Sequence, residues 1–257
     1  MSGETTHHAS RITIITDEGG FSMLKKLTFL LLFLIACSLI AYSSEEGSVT
    51  KDEACSMLKE GNNRFVTGER TFTHLDEDRI KETEKGQHPF AIVLTCSDSR
   101  VPAEHIFDAG IGDIFTIRVA GNVFDTDEIG TAEYGVAHLK SPVILVLGHS
   151  NCGAVTAVAT GAELEGSLPG LLDNVKPALE RTKVKDPTLK GDDLINKCIE
   201  ENVWVSIEDL FNRSEIVREY VKEGKLLVIG AIYNLETGKI NWIGQHPEEK
   251  KLTEKHE

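Results

Sequence analysis

Basic residues are in short supply in this chain. Lysine and arginine together number 27 against 41 aspartates and glutamates, a formal net charge of -14. A surface of that sign argues against nucleic acid or anionic lipid as a partner. Cysteine is also sparse. Five residues (Cys37, Cys55, Cys96, Cys152 and Cys198) among 257 are too few for a disulfide-stapled scaffold, and a chain of this length does not need one. No apolar run reaches the roughly 20 residues that span a bilayer comfortably. Internal repeats and low-complexity tracts are missing too. What is present, 40% hydrophobic and 26% charged residues, suits a globular chain with one sizeable core.

The N-terminus carries one short apolar run. Lys25 and Lys26 precede Leu27 to Ala41, and the polar stretch Ser43-Ser44-Glu45-Glu46-Gly47-Ser48 follows. A basic segment, an apolar segment and small residues in that order form the pattern of a secretory signal peptide. Met23 opens the pattern, so residues 1–22 read as an upstream extension. The expected organisation is therefore a signal peptide with its extension over 1–43, a linker over 44–52, one folded domain over 53–247 and a charged tail over 248–257. Ala41-Tyr42-Ser43 offers small residues to a signal peptidase. Leu34-Ile35-Ala36-Cys37 also resembles a lipoprotein box, which would anchor the chain to a membrane through Cys37. The expected location is the bacterial periplasm. Thiolates kept in that oxidising compartment need protection, and a bound metal supplies it.

Beyond residue 53, strand and helix patterns alternate. Phe90 to Thr95, Val143 to Leu147 and Leu226 to Tyr233 are short apolar runs typical of strands buried on both faces. Ile114 to Val119 reads as another strand, and Lys239 to Ile243 as an antiparallel edge strand. Helices are expected over Glu53–Phe65, Glu128–Leu139, Ala154–Thr160, Leu168–Lys183, Leu194–Phe211 and Ser214–Glu223. The fold class is α/β: a mostly parallel central sheet with an antiparallel edge strand and helices on both faces. In such sheets, sites form at the carboxyl ends of strands.

Two strands run into unusual residues. One ends in Cys96-Ser97-Asp98-Ser99-Arg100, the other in Gly148-His149-Ser150-Asn151-Cys152-Gly153. If these strands are neighbours, Cys96, His149 and Cys152 converge. Two thiolates and one imidazole suit zinc, and three protein ligands leave a fourth position open, as in catalytic zinc sites. The two thiolates neutralise the ion, so the centre acidifies water less than an all-histidine site, and nearby hydrogen bonds matter more. Asp98 lies close enough in sequence to reach the metal or its bound water. Arg100 is placed to hold that carboxylate by a bidentate pair. Taken singly, each residue has a blander role: a buried thiol, a structural imidazole, a surface ion pair.

At these two stretches the chain resembles the β-class carbonic anhydrases. Further matches are Lys85-Gly86-Gln87-His88-Pro89, Arg118-Val119-Ala120-Gly121-Asn122, Glu133-Tyr134-Gly135-Val136 and Gly230 to Gly238. The resemblance spans about residues 53–244. It implies reversible hydration of carbon dioxide to bicarbonate and a proton through zinc-bound hydroxide, with one zinc per subunit on Cys96, His149 and Cys152. It implies that Asp98 accepts a hydrogen bond from the hydroxide and that Arg100 fixes Asp98. It implies that Gln87 donates to a substrate oxygen, and that Phe115 and Tyr134 line an apolar carbon dioxide pocket. It also implies a homodimer or higher multiple whose active site draws on two subunits. Val93 stands where one subgroup carries a tryptophan of a bicarbonate pocket, which points to the subgroup that keeps Asp98 off the metal.

Two other activities fit the same motifs. One is a carbon disulfide or carbonyl sulfide hydrolase on this scaffold, since each substrate is a linear triatomic open to the same attack. The other is a non-catalytic zinc-binding homologue, against which the presence of Asp98, Arg100 and all three ligands speaks. Cys55 and Cys198 fall on expected helices and read as buried thiols, with a disulfide between them as the alternative in an exported protein.

Overall fold

The computed structural model describes residues 49–254. The signal pattern, both cleavage boxes and Cys37 lie outside the described residues. Five strands, β1 (Ala91–Thr95), β2 (Ile114–Arg118), β3 (Val143–His149), β4 (Leu227–Tyr233) and β5 (Ile240–Gly244), form one sheet in the order β2-β1-β3-β4-β5. The first four are parallel, and β5 runs antiparallel to β4 at the edge. The helices are α1 (Lys51–Thr67), α2 (Glu77–Thr83), α3 (Ala103–Ile106), α4 (Thr126–Ala137), α5 (Gly153–Thr160), α6 (Leu168–Leu172), α7 (Lys176–Lys185), α8 (Gly191–Arg213), α9 (Glu215–Lys222) and α10 (Glu249–Glu254).

Alternation along β1 and β3 fills both faces. Ile92, Leu94, Ile144 and Val146 pack with Ile129, Val136, Ile207 and Phe211 of α4 and α8. Ala91, Val93, Leu145 and Leu147 pack with Ala54, Leu58 and Ile106 of α1 and α3. With helices over both faces, every residue of β1 and β3 is buried, which explains their unbroken apolar runs. Val203 of α8 sits against β3 and β4 where each has a glycine. A Cβ at Gly148 or Gly230 would fall 2.8 or 2.7 Å from its methyl groups. The missing side chains thus let α8 lie directly on the strands that lead to the site.

Several boundaries differ from expectation, each for a local reason. α1 starts at Lys51, inside the expected linker, because Thr50 and Glu53 form a reciprocal capping box. The single helix expected over Leu168–Lys183 is two helices joined by a 3-10 turn at Asp173–Val175. Pro177 forces a new start there, because it has no N–H to donate and its ring crowds the preceding turn. The expected tail holds α10, whose Leu252 is buried against the core beside α8 and α9. One apolar residue among many charges was too faint a period to read.

Candidate metal centre

β1 and β3 are adjacent, with Thr95 level with Leu147. The chain leaves β1 toward β2 on one side, and β3 and β4 lie on the other, so their carboxyl ends border the crevice where the strand order reverses. Thr95 Oγ1 donates to the Leu147 carbonyl at 3.1 Å and fastens the two strand ends together. Cys96 follows directly on β1, and His149 ends β3. Asn151 takes a left-handed backbone, φ 53°, which asparagine tolerates better than most residues and which turns the chain back within three residues. Cys152 then caps the start of α5.

The three ligand atoms lie within 4.8 Å of one another, and all three side chains are buried. His149 Nδ1 is 2.9 Å from the Ser150 carbonyl, so that nitrogen carries the proton and Nε2 keeps its lone pair. Nε2 is buried and has no hydrogen-bond partner among the described residues. The Gly121 N–H donates to Cys96 Sγ at 3.4 Å. A hydrogen bond from Cys152 holds Cys96 well below the ordinary thiol range, while that thiolate, together with burial, pushes Cys152 far up. A buried imidazole nitrogen without a partner, within 4.8 Å of two buried sulfurs, is a donor set that fits a divalent cation. The sulfur–nitrogen composition suits zinc.

Asp98 lies at the rim. Arg100 grips it three times: its backbone N–H and Nε donate to Oδ1, each at 2.9 Å, and its terminal nitrogen donates to Oδ2 at 2.7 Å. The guanidinium holds the Asp98 carboxyl well below the usual carboxylate range. Oδ2 remains 3.9 Å from His149 Nε2, on the side where the ligand atoms converge. Arg118 fixes the turn itself, donating to the carbonyls of Cys96 at 3.3 Å and Asp98 at 2.7 Å.

Gln87, Phe115 and Tyr134 lie elsewhere. Phe115 is level with Ile92, four residues before Cys96, which is about 13 Å along a strand. Its ring meets Tyr134 at 6.1 Å, and Tyr134 stacks on His138 at 5.1 Å. Gln87 is exposed ahead of β1, and Tyr134 is 48% exposed. These three occupy the amino end of the sheet, so one chain does not bring them to its own ligands. Val93 is buried in the opposite core layer.

Cys55 and Cys198 are both free, so the alternative of a disulfide is not realised. Cys198 is fully buried, as expected, and burial pushes its thiol up to about 11. Cys55 is only half-buried on α1, a departure from the expected buried thiol. No role was expected for Arg118, which donates to the Cys96 carbonyl, for Gly121, which donates to the Cys96 sulfur, or for Asn202, which donates to the Gly121 carbonyl. Asn202 and Ser206 had one detectable signal: two polar residues a turn apart on the face that also carries Ile199, Val203 and Ile207.

Residues 91–240 match the family profile described as carbonic anhydrase. Carbonic anhydrase 2 of Mycobacterium tuberculosis is 38% identical over 191 residues, which cover 72% of this chain and 89% of that protein. The structure of a β-carbonic anhydrase of Aspergillus fumigatus superposes with a TM-score of 0.64 at 27% identity, covering 76% of this chain and 93% of the other. One from Sordaria macrospora, described as tetrameric, gives 0.61 at 25% identity, with coverage of 72% and 94%.

Proposed function

The chain belongs to the carbonic anhydrase family, in its β class, and from that premise we propose how its residues carry out the reversible hydration of carbon dioxide to bicarbonate and a proton. Three buried donors aimed at one point, with an arginine-held carboxylate 3.9 Å from one of them, carry this assignment. Cys96, His149 and Cys152 would hold zinc, and the ion would supply Lewis acidity, lowering the pKa of a bound water toward neutrality. Asp98, kept ionised by Arg100, accepts a hydrogen bond from the reacting water and turns its lone pair toward the carbon. Because Arg100 already grips the carboxylate through two side-chain bonds, Asp98 acts as a fixed acceptor and stays off the metal.

A second copy of the chain brings Gln87, Phe115 and Tyr134 over this site. Phe115 and Tyr134 wall the pocket against water, and Gln87 donates its amide to a substrate oxygen. A half-exposed tyrosine tilted against Phe115 and stacked on His138 gains most from such cover. Metal analysis joined to a carbon dioxide hydration assay tests the assignment. Wild type should carry one zinc per subunit and be active, and Asp98→Ala should keep its zinc and lose most activity. An inert zinc-loaded wild type, or one faster on carbonyl sulfide, would overturn it.

For the segment ahead of the folded unit we propose export to the periplasm, on the order of charge, apolar run and small residues between Lys25 and Ser48. N-terminal mass analysis of the mature protein is the test. A start at Ser44 marks a soluble product, and an acylated Cys37 marks an anchored one. An intact N-terminus in the cytoplasm would end the proposal.

A further inference from the structure

The peptide that faces the Cys96 sulfur is held from behind by a helix that takes no part in metal binding. The Asn122 N–H donates to the Val119 carbonyl at 3.0 Å, closing a four-residue turn. Gly121, third in that turn, has φ 84°. A left-handed third residue is what a type II turn requires, and it is the feature that separates type II from type I. The distinction matters chemically, because the two forms point the central peptide, which carries the Gly121 N–H, in opposite directions. One aims that N–H at Cys96 Sγ, and the other would turn a carbonyl oxygen toward the sulfur. A Cβ on Gly121 would also come within 3.1 Å of Val175 Cγ2.

On the far side of Gly121, Asn202 of α8 donates from Nδ2 to the Gly121 carbonyl at 2.7 Å, fully buried. The orientation of that amide follows, since its oxygen could not face a carbonyl. One turn further along, the Ser206 hydroxyl lies 2.9 Å from the Asn122 carbonyl and 2.8 Å from the Asn202 carbonyl, with one proton to share between them. Both contacts depend on α8 lying against the sheet, which the Val203 seat at Gly148 and Gly230 allows.

We propose that Asn202 is a positioning residue for the metal centre: by gripping the Gly121 carbonyl it keeps the 119–122 turn in the form that points the Gly121 amide at Cys96 Sγ. An amide proton on a thiolate ligand draws electron density off the sulfur. In a centre where two thiolates already neutralise the ion, that withdrawal restores some of its acidity. The inference rests on Cys96 being a metal ligand.

Cobalt and cadmium substitution test it without an activity assay. With the magnetic cadmium isotope in the wild-type protein, the Gly121 amide proton should couple to the metal through Cys96 Sγ. In the cobalt protein, Asn202→Ala should shift the sulfur-to-cobalt charge-transfer band to longer wavelength, because the sulfur becomes easier to oxidise, and in its cadmium form the coupling should be lost. Ser206→Ala removes the buried hydroxyl that reaches the same loop without touching the Gly121 carbonyl, and should leave band and coupling in place. Asn202→Thr, close in volume and without the amide, carries the same expectation as Asn202→Ala should that variant not fold. An unmoved band in the Asn202 variants, an equal shift in Ser206→Ala, or no coupling in the wild type each overturns the inference alone. A wild-type protein that takes up no cobalt overturns the metal assignment and this inference with it.

Discussion

The two ends of the parallel sheet are built to opposite standards. At the carboxyl end, Cys96, His149 and Cys152 are buried, their backbone is tied by Thr95 and Arg118, and the rim carboxylate is held three times over. At the amino end, Gln87 is open to solvent and Tyr134 is 48% exposed, tilted against Phe115 and stacked on His138. The first end is complete within one chain, whereas at the second we propose that a neighbouring copy supplies the cover. On that proposal the metal centre is self-sufficient while the catalytic pocket is not. The largest test of that contrast is His149→Ala. Removing the imidazole leaves only two of the three donors, so zinc content and hydration should fall to background. The subunit number, which the proposed cover would set at the other end, should stay the same. Metal analysis and light scattering on one preparation check both, and a variant that also dissociates would show that the two ends depend on each other.

The same contrast governs how much could be read from the sequence. The ligands were legible because each sits where an apolar run stops, and a strand end is a fixed place in a parallel sheet. Asp98 and Arg100 were legible because a dyad two residues apart can form only locally. Gln87, Phe115 and Tyr134 were identified by resemblance alone, and strand position set them at the wrong end for their own chain's metal. Asn202 and the Gly121 N–H were not foreseen. One is an asparagine on a helix more than a hundred residues from Cys96, and the other is a backbone group whose direction depends on one positive φ. Contacts made by backbone atoms leave little trace in side-chain patterns.

The next effect in size is Asp98→Asn, which keeps the shape and removes the charge. Zinc should be retained, and hydration should fall on the order of 100- to 10,000-fold, the usual range for a positioned proton acceptor. The pH behaviour sharpens this. Arg100 holds the Asp98 carboxyl below its ordinary range. The stabilisation from the ionised form is therefore complete above the unfolded value of about 3.9 and drains away only as pH falls through the depressed one. No acid limb of the wild-type rate profile above about pH 4 belongs to Asp98. A limb there that vanishes in Asp98→Asn would contradict the clamp.

At the amino end, Tyr134→Ala should leave zinc untouched and lower hydration by about tenfold, in line with losing roughly 1.4 kcal/mol of pocket packing. Mixing it with Asp98→Ala separates a shared site from a private one. If each site takes Asp98 from one copy and Tyr134 from the other, half the random dimers are mixed. Each mixed dimer has one wholly wild-type site, so activity recovers to about a quarter of wild type. Re-equilibrated mixtures that stay at the mean of the two parents would place both residues in one copy's site and collapse the contrast between the ends.

The smallest expected effect is Gly135→Ala, on the face of α4 that meets the sheet. A Cβ there would stand 2.6 Å from Ile92 Cδ1 and 3.2 Å from Phe115 Cδ1. Two opposing terms decide the outcome. Alanine in place of glycine in a helix interior gains up to about 1 kcal/mol, whereas overpacking a filled core costs about 1–3 kcal/mol. Ile92 is fully buried and has little room to give, so the clash wins by about 1 kcal/mol. Thermal unfolding should register a loss of a few degrees, as a domain of this size does for that change. Phe115, pushed at its ring edge, lies four strand residues from its own chain's metal ligand but within the proposed cover of a neighbouring site. The change should therefore raise KM about two- to threefold with zinc content and kcat close to wild type, since displaced pocket walls weaken substrate binding without touching Asp98. A drop in kcat or in zinc content would mean that strain at the amino end travels up β1 to Cys96, and the sheet would then have to be treated as one coupled site.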